Sequence, residues 1–275
     1  MNSVLPPSAG VIGWPVAHSK SPRIHRFWLE KLGIDGDYGR FPVHPDALAT
    51  AIRALPALGL RGTNVTVPHK LAVMDHLDRL SPAAIAVGAV NTVVVEADGT
   101  LFGTNSDVDG IVEPLRNVGL RRQKVVIAGS GGAARAALAA MQALETGEIT
   151  LLARDSSKAE ALLAAMNIAH ARVLPFEKAA LAADSALFFN ATTLGMNGNP
   201  PLPVDLAGFS RSITVFDAVY APLETPLLAD ARRLGMPTID GLAMLVGQAA
   251  TAFALFYGAE APRQHDETLR KRLLA

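Results

Sequence analysis

Short runs of β-branched and apolar residues alternate along this chain with longer alanine- and leucine-rich stretches whose apolar positions recur at helical spacing. That alternation predicts βαβ units and parallel sheets. VIGWPV, from Val11, predicts a strand and turn, and Ser21-Pro22 opens a helix, IHRFWLEKLG, that stops at Gly33. GTNVTVP, from Gly62, predicts a strand closed by Pro68, and AVNTVVVEADGTLFGTN, from Ala89, a hairpin turning at Asp98-Gly99. The near-continuous apolar run KVVIA, Lys124 to Ala128, suits a central parallel strand covered on both faces. A helix AARAALAAMQALE, a strand EITLLA and a helix SSKAEALLAAM follow it, and further strands are predicted at SALFFN and SITVFDAVY.

No internal repeat, low-complexity tract or flexible linker marks a boundary. The pattern divides the chain into an α/β half over residues 1–106, a nucleotide-binding half over 107–240, and a helical segment, 241–275. The most apolar window, Gly241 to Gly258, contains Gln248 and three glycines. A spanning helix needs about 20 mostly apolar residues, so this window reads as a buried core helix. The amino terminus has no basic region before its apolar residues and reads as a lead into a strand, not a signal peptide. The expectation is a cytoplasmic protein with no membrane partner.

Composition narrows the chemistry. Half of the 275 residues are apolar and 18% are charged, which provides for a sizeable core and excludes a disordered chain. Basic and acidic residues number 25 each, so no basic excess is available for nucleic acid. The absence of cysteine excludes disulfide scaffolds, thiolate zinc sites and cysteine nucleophiles. The seven histidines show no ligand-like clustering, and no metal is expected.

Ala128-Gly129-Ser130-Gly131-Gly132-Ala133-Ala134 lies between a predicted strand and a predicted helix, the context that a dinucleotide fingerprint requires. Gly129 permits the tight turn, Gly131 admits a pyrophosphate to the backbone, and the helix start offers free N–H groups. EITLLA ends without the carboxylate that an NAD site places on the ribose. Arg154 follows at once and Lys158 lies one turn on, which suits the 2′-phosphate of NADP, although Asp155 beside them is a negative charge of unknown direction. Three polar clusters in the first half are unexplained by packing: His18-Ser19-Lys20-Ser21-Pro22, the strand GTNVTVPHK ending at Lys70, and Gly103-Thr104-Asn105-Ser106-Asp107. Taken singly, Ser21 reads equally as a helix cap, Lys70 as a surface lysine and Asp107 as a helix cap.

Together these segments resemble the shikimate dehydrogenase family. GWPVAHSKSPRIH, GTNVTVPHK, GAVNT, GTNSDVDG, GSGGAARA, NATTLGM, DAVYAPLETPLL and DGLAMLVGQAA occur in the family's order from Gly13 to Ala250. The resemblance implies two α/β domains across a cleft, the second a Rossmann-type parallel sheet, with the C-terminal helices returning to the first. It implies reversible NADPH-dependent reduction of 3-dehydroshikimate to shikimate, on the way to chorismate and the aromatic amino acids, by a monomer or homodimer. Ser19 and Ser21 would hold the substrate carboxylate, and Thr66, Asn91, Tyr220 and Gln248 the ring hydroxyls. Lys70 and Asp107 would form the catalytic pair. Gly129, Ser130, Gly131, Gly132, Ala133, Ala153, Arg154, Lys158, Ala218 and Gly241 would line the cofactor. The chain departs from the family pattern at Ala153, where asparagine is common, at Asp155 for threonine, at Ser106 for threonine and at Ser130 for alanine. The alternatives are a quinate/shikimate dehydrogenase using NAD or NADP, which the serine at position 21 disfavours, and a non-catalytic nucleotide-binding regulator, which the presence of both Lys70 and Asp107 disfavours.

Overall fold

A computed structural model describes residues 6–274 and divides into two compact units. One unit runs to Ser106 and resumes at Gln248; the other is Asp107–Gly247.

The first unit holds β1 (Ser8–Gly13), α1 (Ser21–Leu32), β2 (Asp37–Pro42), α2 (Leu48–Ala54), β3 (Leu60–Val65), β4 (Arg79–Leu80), α3 (Pro82–Val87), β5 (Thr92–Val95) and β6 (Leu101–Thr104). Its sheet has the order β2-β1-β3-β5-β6-β4 and is mixed, not parallel throughout. β1 pairs in parallel with β2 and β3, but β5 runs antiparallel to both β3 and β6. The local turn at Asp98-Gly99 dictates the β5–β6 pairing. Asp98 Oδ1 accepts from the Thr100 amide at 2.9 Å, and Gly99 takes a φ of 87°, a left-handed value that glycine adopts without steric cost. A hairpin folds back on itself, so the carboxyl ends of β1, β3 and β6 and the start of β5 gather along one edge. On one face Ile12, Val65, Val90 and Val93 pack with Leu48 and Ile52 of α2. The other face closes on Ala252 and Phe256, which lie against Ala9, Val11, Val16 and Tyr38.

The second unit holds α4 (Asp107–Leu115), β7 (Val125–Ala128), α5 (Gly132–Ala143), β8 (Ile149–Leu152), α6 (Ser156–Ala165), β9 (Ala171–Leu174), β10 (Leu187–Asn190), β11 (Thr214–Asp217), α7 (Pro226–Arg233) and β12 (Thr238–Ile239), and it takes in the start of α8 (Gly241–Tyr257). The sheet is parallel throughout, in the order β12-β11-β10-β7-β8-β9. β7 is buried at every position, as the apolar run VVIA requires. The chain winds outward from β7 through β8 and β9, then returns to place β10 on the other side of β7. That reversal is a topological switch point, and ligands bind outside the carboxyl ends of the strands at such points.

The division falls inside α8, at Gly247. Two glycines give the reason. A Cβ on Gly241 would stand 2.5 Å from the carbonyl oxygens of Ala218 and Val219, and one on Gly247 would stand 3.1 Å from the Gly110 Cα. The first two turns of α8 therefore lie directly on the second unit's backbone. The remainder of α8 and α9 (Asp266–Leu274) pack with the first unit. There Lys20 Nζ donates to the Leu273 carbonyl at 2.6 Å, and Arg272 pairs with Glu30 at 3.0 Å while its guanidinium lies over the Phe27 ring. Among the described residues no helix is long and apolar enough to cross a membrane.

Beneath α1 the His25 ring is fully buried. It stacks on Tyr38 with centroids 4.0 Å apart and touches Trp28, Phe253, Phe256 and Tyr257. Neither ring nitrogen has a hydrogen-bond partner. Burial pushes the imidazole down to about 3, so the fold holds it neutral where the unfolded chain takes up a proton. Stability therefore falls as pH drops below the ordinary histidine value of about 6.5. We expect His25 to account for about 2 kcal/mol of stability lost between pH 7 and pH 5, at 1.36 kcal/mol per pKa unit. Denaturant midpoints at the two pH values should show that loss in the wild type and not in His25→Phe. Equal losses in both proteins would assign the acid sensitivity elsewhere.

Candidate functional site

Along its gathered edge the first unit carries a continuous buried polar network. The Tyr38 hydroxyl donates to Asn64 Oδ1 at 2.6 Å, and Asn64 Nδ2 donates to Thr92 Oγ1 at 2.9 Å and to the Asn91 carbonyl at 3.2 Å. Asn91 Oδ1 accepts from Thr92 Oγ1 at 2.9 Å and from the Ser106 amide at 2.8 Å, and Asn91 Nδ2 donates to Ser106 Oγ at 3.1 Å. Ser106 Oγ lies 3.5 Å from Gln248 Oε1. Satisfied networks of this kind fix their members in one arrangement. Of the six residues, only Asn91 and Gln248 are among the sequence-derived site residues. Tyr38 and Thr92 are missed because each reads, alone, as an ordinary strand residue, and Asn64 stands inside the flagged string GTNVTVPHK without a signal of its own. Burial holds the Tyr38 phenol far above its usual range, so it stays protonated and continues to donate.

The other first-unit residues sit on the same edge. Ser21 is the first residue of α1 and not its cap: the cap position is Lys20, which makes no side-chain capping bond. The Ser21 hydroxyl lies 3.3 Å from the Ser19 hydroxyl, and the Ser21 amide donates to Ser19 Oγ at 3.3 Å. Thr66 follows β3, with its amide on the Ile12 carbonyl at 2.9 Å. Lys70 is half-buried and its backbone is pinned from two sides. Its carbonyl accepts from the Val90 amide at 2.8 Å, and the neighbouring buried His69 ring bonds the Val43 carbonyl at 2.8 Å.

In the second unit Asp107 opens α4 and is buried, in the first turn, where the helix dipole favours a carboxylate. The glycine loop joins β7 to α5. Gly129 takes a φ of 112°, and a Cβ there would meet the Thr192 methyl at 2.9 Å and the Ala191 carbonyl oxygen at 3.2 Å. Gly131 and Gly132 differ: both are exposed, Gly131 has an ordinary extended conformation, and a Cβ on either would meet nothing within 4 Å. The protein's own packing therefore does not demand glycine at those two positions. Gly131 is the α5 cap and has no side chain to satisfy the helix amides, and Ser130 and Ala133 flank it, half-buried.

At the end of β8 the Ala153 amide is taken by the Leu174 carbonyl at 3.0 Å, and Arg154 is exposed, with no carboxylate pairing it among the described residues. The direction of Asp155 is settled. Its Oδ1 accepts from Ser157 Oγ at 2.7 Å and from the Lys158 amide at 3.0 Å, so it caps α6. Those bonds, the Ser157 hydroxyl first, hold its pKa below the usual aspartate value. Two exposed glycines at the start of α5, followed by an arginine with no carboxylate partner among the described residues, fit a dinucleotide carrying an extra phosphate.

Behind this edge lies a cluster that sequence reading missed. Asp217, at the end of β11, is fully buried; Oδ1 accepts from Asn190 Nδ2 at 2.9 Å and the Val219 amide at 3.0 Å, and Oδ2 from Thr225 Oγ1 at 2.6 Å. Asn190 Oδ1 in turn accepts from the Thr192 hydroxyl and amide, at 2.7 and 3.0 Å. One carboxylate thus ties the loop after β10, which Gly129 abuts, to the loop after β11 that carries Ala218 and Tyr220. Burial raises the Asp217 carboxyl despite its three donors, and burial likewise raises the Tyr220 phenol.

Residues 11–93 match the family model described as the shikimate dehydrogenase substrate binding domain. A protein of Rhodospirillum rubrum named shikimate dehydrogenase (NADP(+)) is 47% identical over 277 residues, covering 97% of this chain and 96% of its own. The chain belongs to the shikimate dehydrogenase family. Among solved structures, the family member from Thermus thermophilus in complex with NADP(H) and shikimate superposes with a TM-score of 0.87 at 35% identity, covering 97% of this chain and 99% of its own. A quinate dehydrogenase of Corynebacterium glutamicum in complex with NAD reaches a TM-score of 0.89 at 31% identity, with 98% of each chain covered.

Replacing Asp217 with alanine removes the shared acceptor of three buried donors. We expect a loss on the order of 3 kcal/mol, the scale for unpairing such groups. Thr225→Val, which removes one donor and the cap of α7, should lose about 1–2 kcal/mol. Equilibrium denaturation measures both, and a change below about 0.5 kcal/mol in Asp217→Ala would show that the loops hold without it.

Proposed function

We propose that this protein catalyses the reversible NADPH-dependent reduction of 3-dehydroshikimate to shikimate, the step that feeds chorismate and aromatic amino acid synthesis. The near-full-length relationship to NADP(+)-dependent shikimate dehydrogenases carries this reading. Both α/β units and the open glycine cradle agree with it. As substrate-binding residues we assign Ser19 and Ser21 to the carboxylate, and Thr66, Asn91, Tyr220 and Gln248 to the ring hydroxyls.

Lys70 and Asp107 are the proposed catalytic pair. NADPH, when bound, supplies the hydride. Negative charge then grows on the ketone oxygen, and the Lys70 ammonium both stabilises that charge and gives the oxygen its proton. The Asp107 carboxylate orients the lysine and accepts a hydrogen bond from the adjacent hydroxyl. Proton transfer of this kind contributes on the order of 10²–10⁴ in rate, and substrate positioning supplies much of the rest. The residues proposed for the cofactor are Gly129, Ser130, Gly131, Gly132 and Ala133 at the pyrophosphate, Ala153, Arg154 and Lys158 at the 2′-phosphate, and Ala218 and Gly241 on the far side of the edge. We place the enzyme in the cytoplasm, as a monomer or homodimer, because its substrates are small soluble acids and its reductant is drawn from that pool.

The deciding experiment is absorbance at 340 nm with shikimate and quinate, each offered with NADP and NAD. Turnover of shikimate with NADP is expected to exceed the other three combinations; preference for quinate with NAD would move the protein to the quinate branch. Within that assay Lys70→Ala should lower kcat about 10²-fold or more while substrate binding persists. A variant within threefold of wild type would make Lys70 a bystander. Arg154→Ala should remove most of a roughly 10²-fold preference for NADP over NAD in kcat/KM, by weakening NADP alone. No response to that substitution would show that the phosphate is read elsewhere.

A further inference from the structure

Arg40 stands near the carboxyl end of β2, paired in register with Val11 of β1, and its side chain is exposed. Its Nε and Nη2 both donate to the Ser19 carbonyl, at 3.1 and 2.5 Å, which leaves the rest of its donor fork unused. Some arginines of this unit are paired, Arg26 with Asp37, Arg79 with Glu96 and Arg272 with Glu30, whereas Arg23, Arg53 and Arg61 have no carboxylate partner among the described residues. Arg40 has no carboxylate partner among the described residues. The nearest lysine in sequence to the two serines, Lys20, is committed to the Leu273 carbonyl. Arg40 thus places an uncompensated positive charge on the loop that presents the Ser19 and Ser21 hydroxyls.

We infer that Arg40 is a specificity-determining residue for a carboxylate substrate, setting the Ser19 loop through its fork and supplying the positive charge that two neutral hydroxyls lack. The physical need is plain. Hydroxyls give a carboxylate only neutral donors, whereas a guanidinium a few ångströms behind them favours the ionised acid over any uncharged analogue. Because Arg40 is exposed, its attraction acts through water and weakens with added salt. The inference rests on the assignment of Ser19 and Ser21 to the substrate carboxylate.

The test compares wild type, Arg40→Met and Arg40→Lys in steady-state kinetics at saturating NADP, with shikimate and its methyl ester, at low and high ionic strength. Arg40→Met is expected to raise KM for shikimate about tenfold with kcat within threefold, to leave KM for the ester unchanged, and to flatten the salt dependence of kcat/KM. Arg40→Lys is expected to keep the salt dependence, with KM between the other two, because it keeps the charge and loses the fork. Equal rises in KM for acid and ester would overturn the inference, leaving Arg40 a loop support only, and so would an unchanged KM and salt dependence in Arg40→Met. A wild-type enzyme that does not prefer the acid to its ester would instead overturn the serine assignment beneath it.

Discussion

Asn91 is almost fully buried, and the cost of leaving an amide unpaired there governs the edge of the first unit. Its Oδ1 collects the Ser106 amide and the Thr92 hydroxyl, while its Nδ2 reaches the Ser106 hydroxyl. Its backbone works as well: the carbonyl accepts from the Val65 amide at 2.7 Å, and the amide donates to the Thr104 carbonyl at 3.1 Å. One residue therefore joins the end of β3, the start of β5 and the end of β6. Extension through Thr92 and Asn64 to Tyr38 carries the same order to β2 and to the His25 stack under α1. The side chains proposed to meet substrate are presented by a scaffold with little freedom to rearrange.

The second unit reaches a comparable edge by other means. A parallel sheet aligns its carboxyl ends by construction, and the loops leaving them would be free to wander. Buried Asp217 prevents this, as it binds donors from both the β10 and β11 sides. Close backbone approach does the remainder, at Gly129 against Ala191 and at Gly241 against Ala218 and Val219. In front of them Gly131 and Gly132 are exposed, and the cap position of α5 brings no side chain to the helix start. Rigidity behind the edge and openness in front of it are the two requirements of a phosphate cradle.

Several elements were legible because a local rule decides them. The Gly33 stop of α1 takes a φ of 63°, the Asp98-Gly99 turn forms, and VVIA is a fully buried interior strand. Others passed unread although their signals were present. Ser81-Pro82 and Thr225-Pro226 are both cap-and-proline pairs that open α3 and α7, with the hydroxyls accepting from the Ala84 and Leu228 amides. Short edge strands had no comparable signal: β2, DYGRFP, is mostly exposed and carries glycine and proline. The strand–helix alternation points to parallel pairing, and the hairpin at Asp98-Gly99, which the sequence also predicts, makes the first sheet mixed.

The order of motifs along the chain was sufficient to name the family, since eight matching strings in sequence do not require a fold to be known. The glycine loop, the basic pair after β8 and the polar clusters of the first half are likewise properties of the sequence. Sequence could not say where side chains point, because direction is set by neighbours distant along the chain. Only in three dimensions does Asp155 turn back to cap α6, Ser21 leave the cap position, and Asn64, Thr92 and Tyr38 join Asn91. Arg40 is 21 residues from Ser19 in the chain and donates to its carbonyl only because β2 and β1 lie side by side. Buried polar groups must find partners wherever the fold supplies them, and tertiary structure decided which.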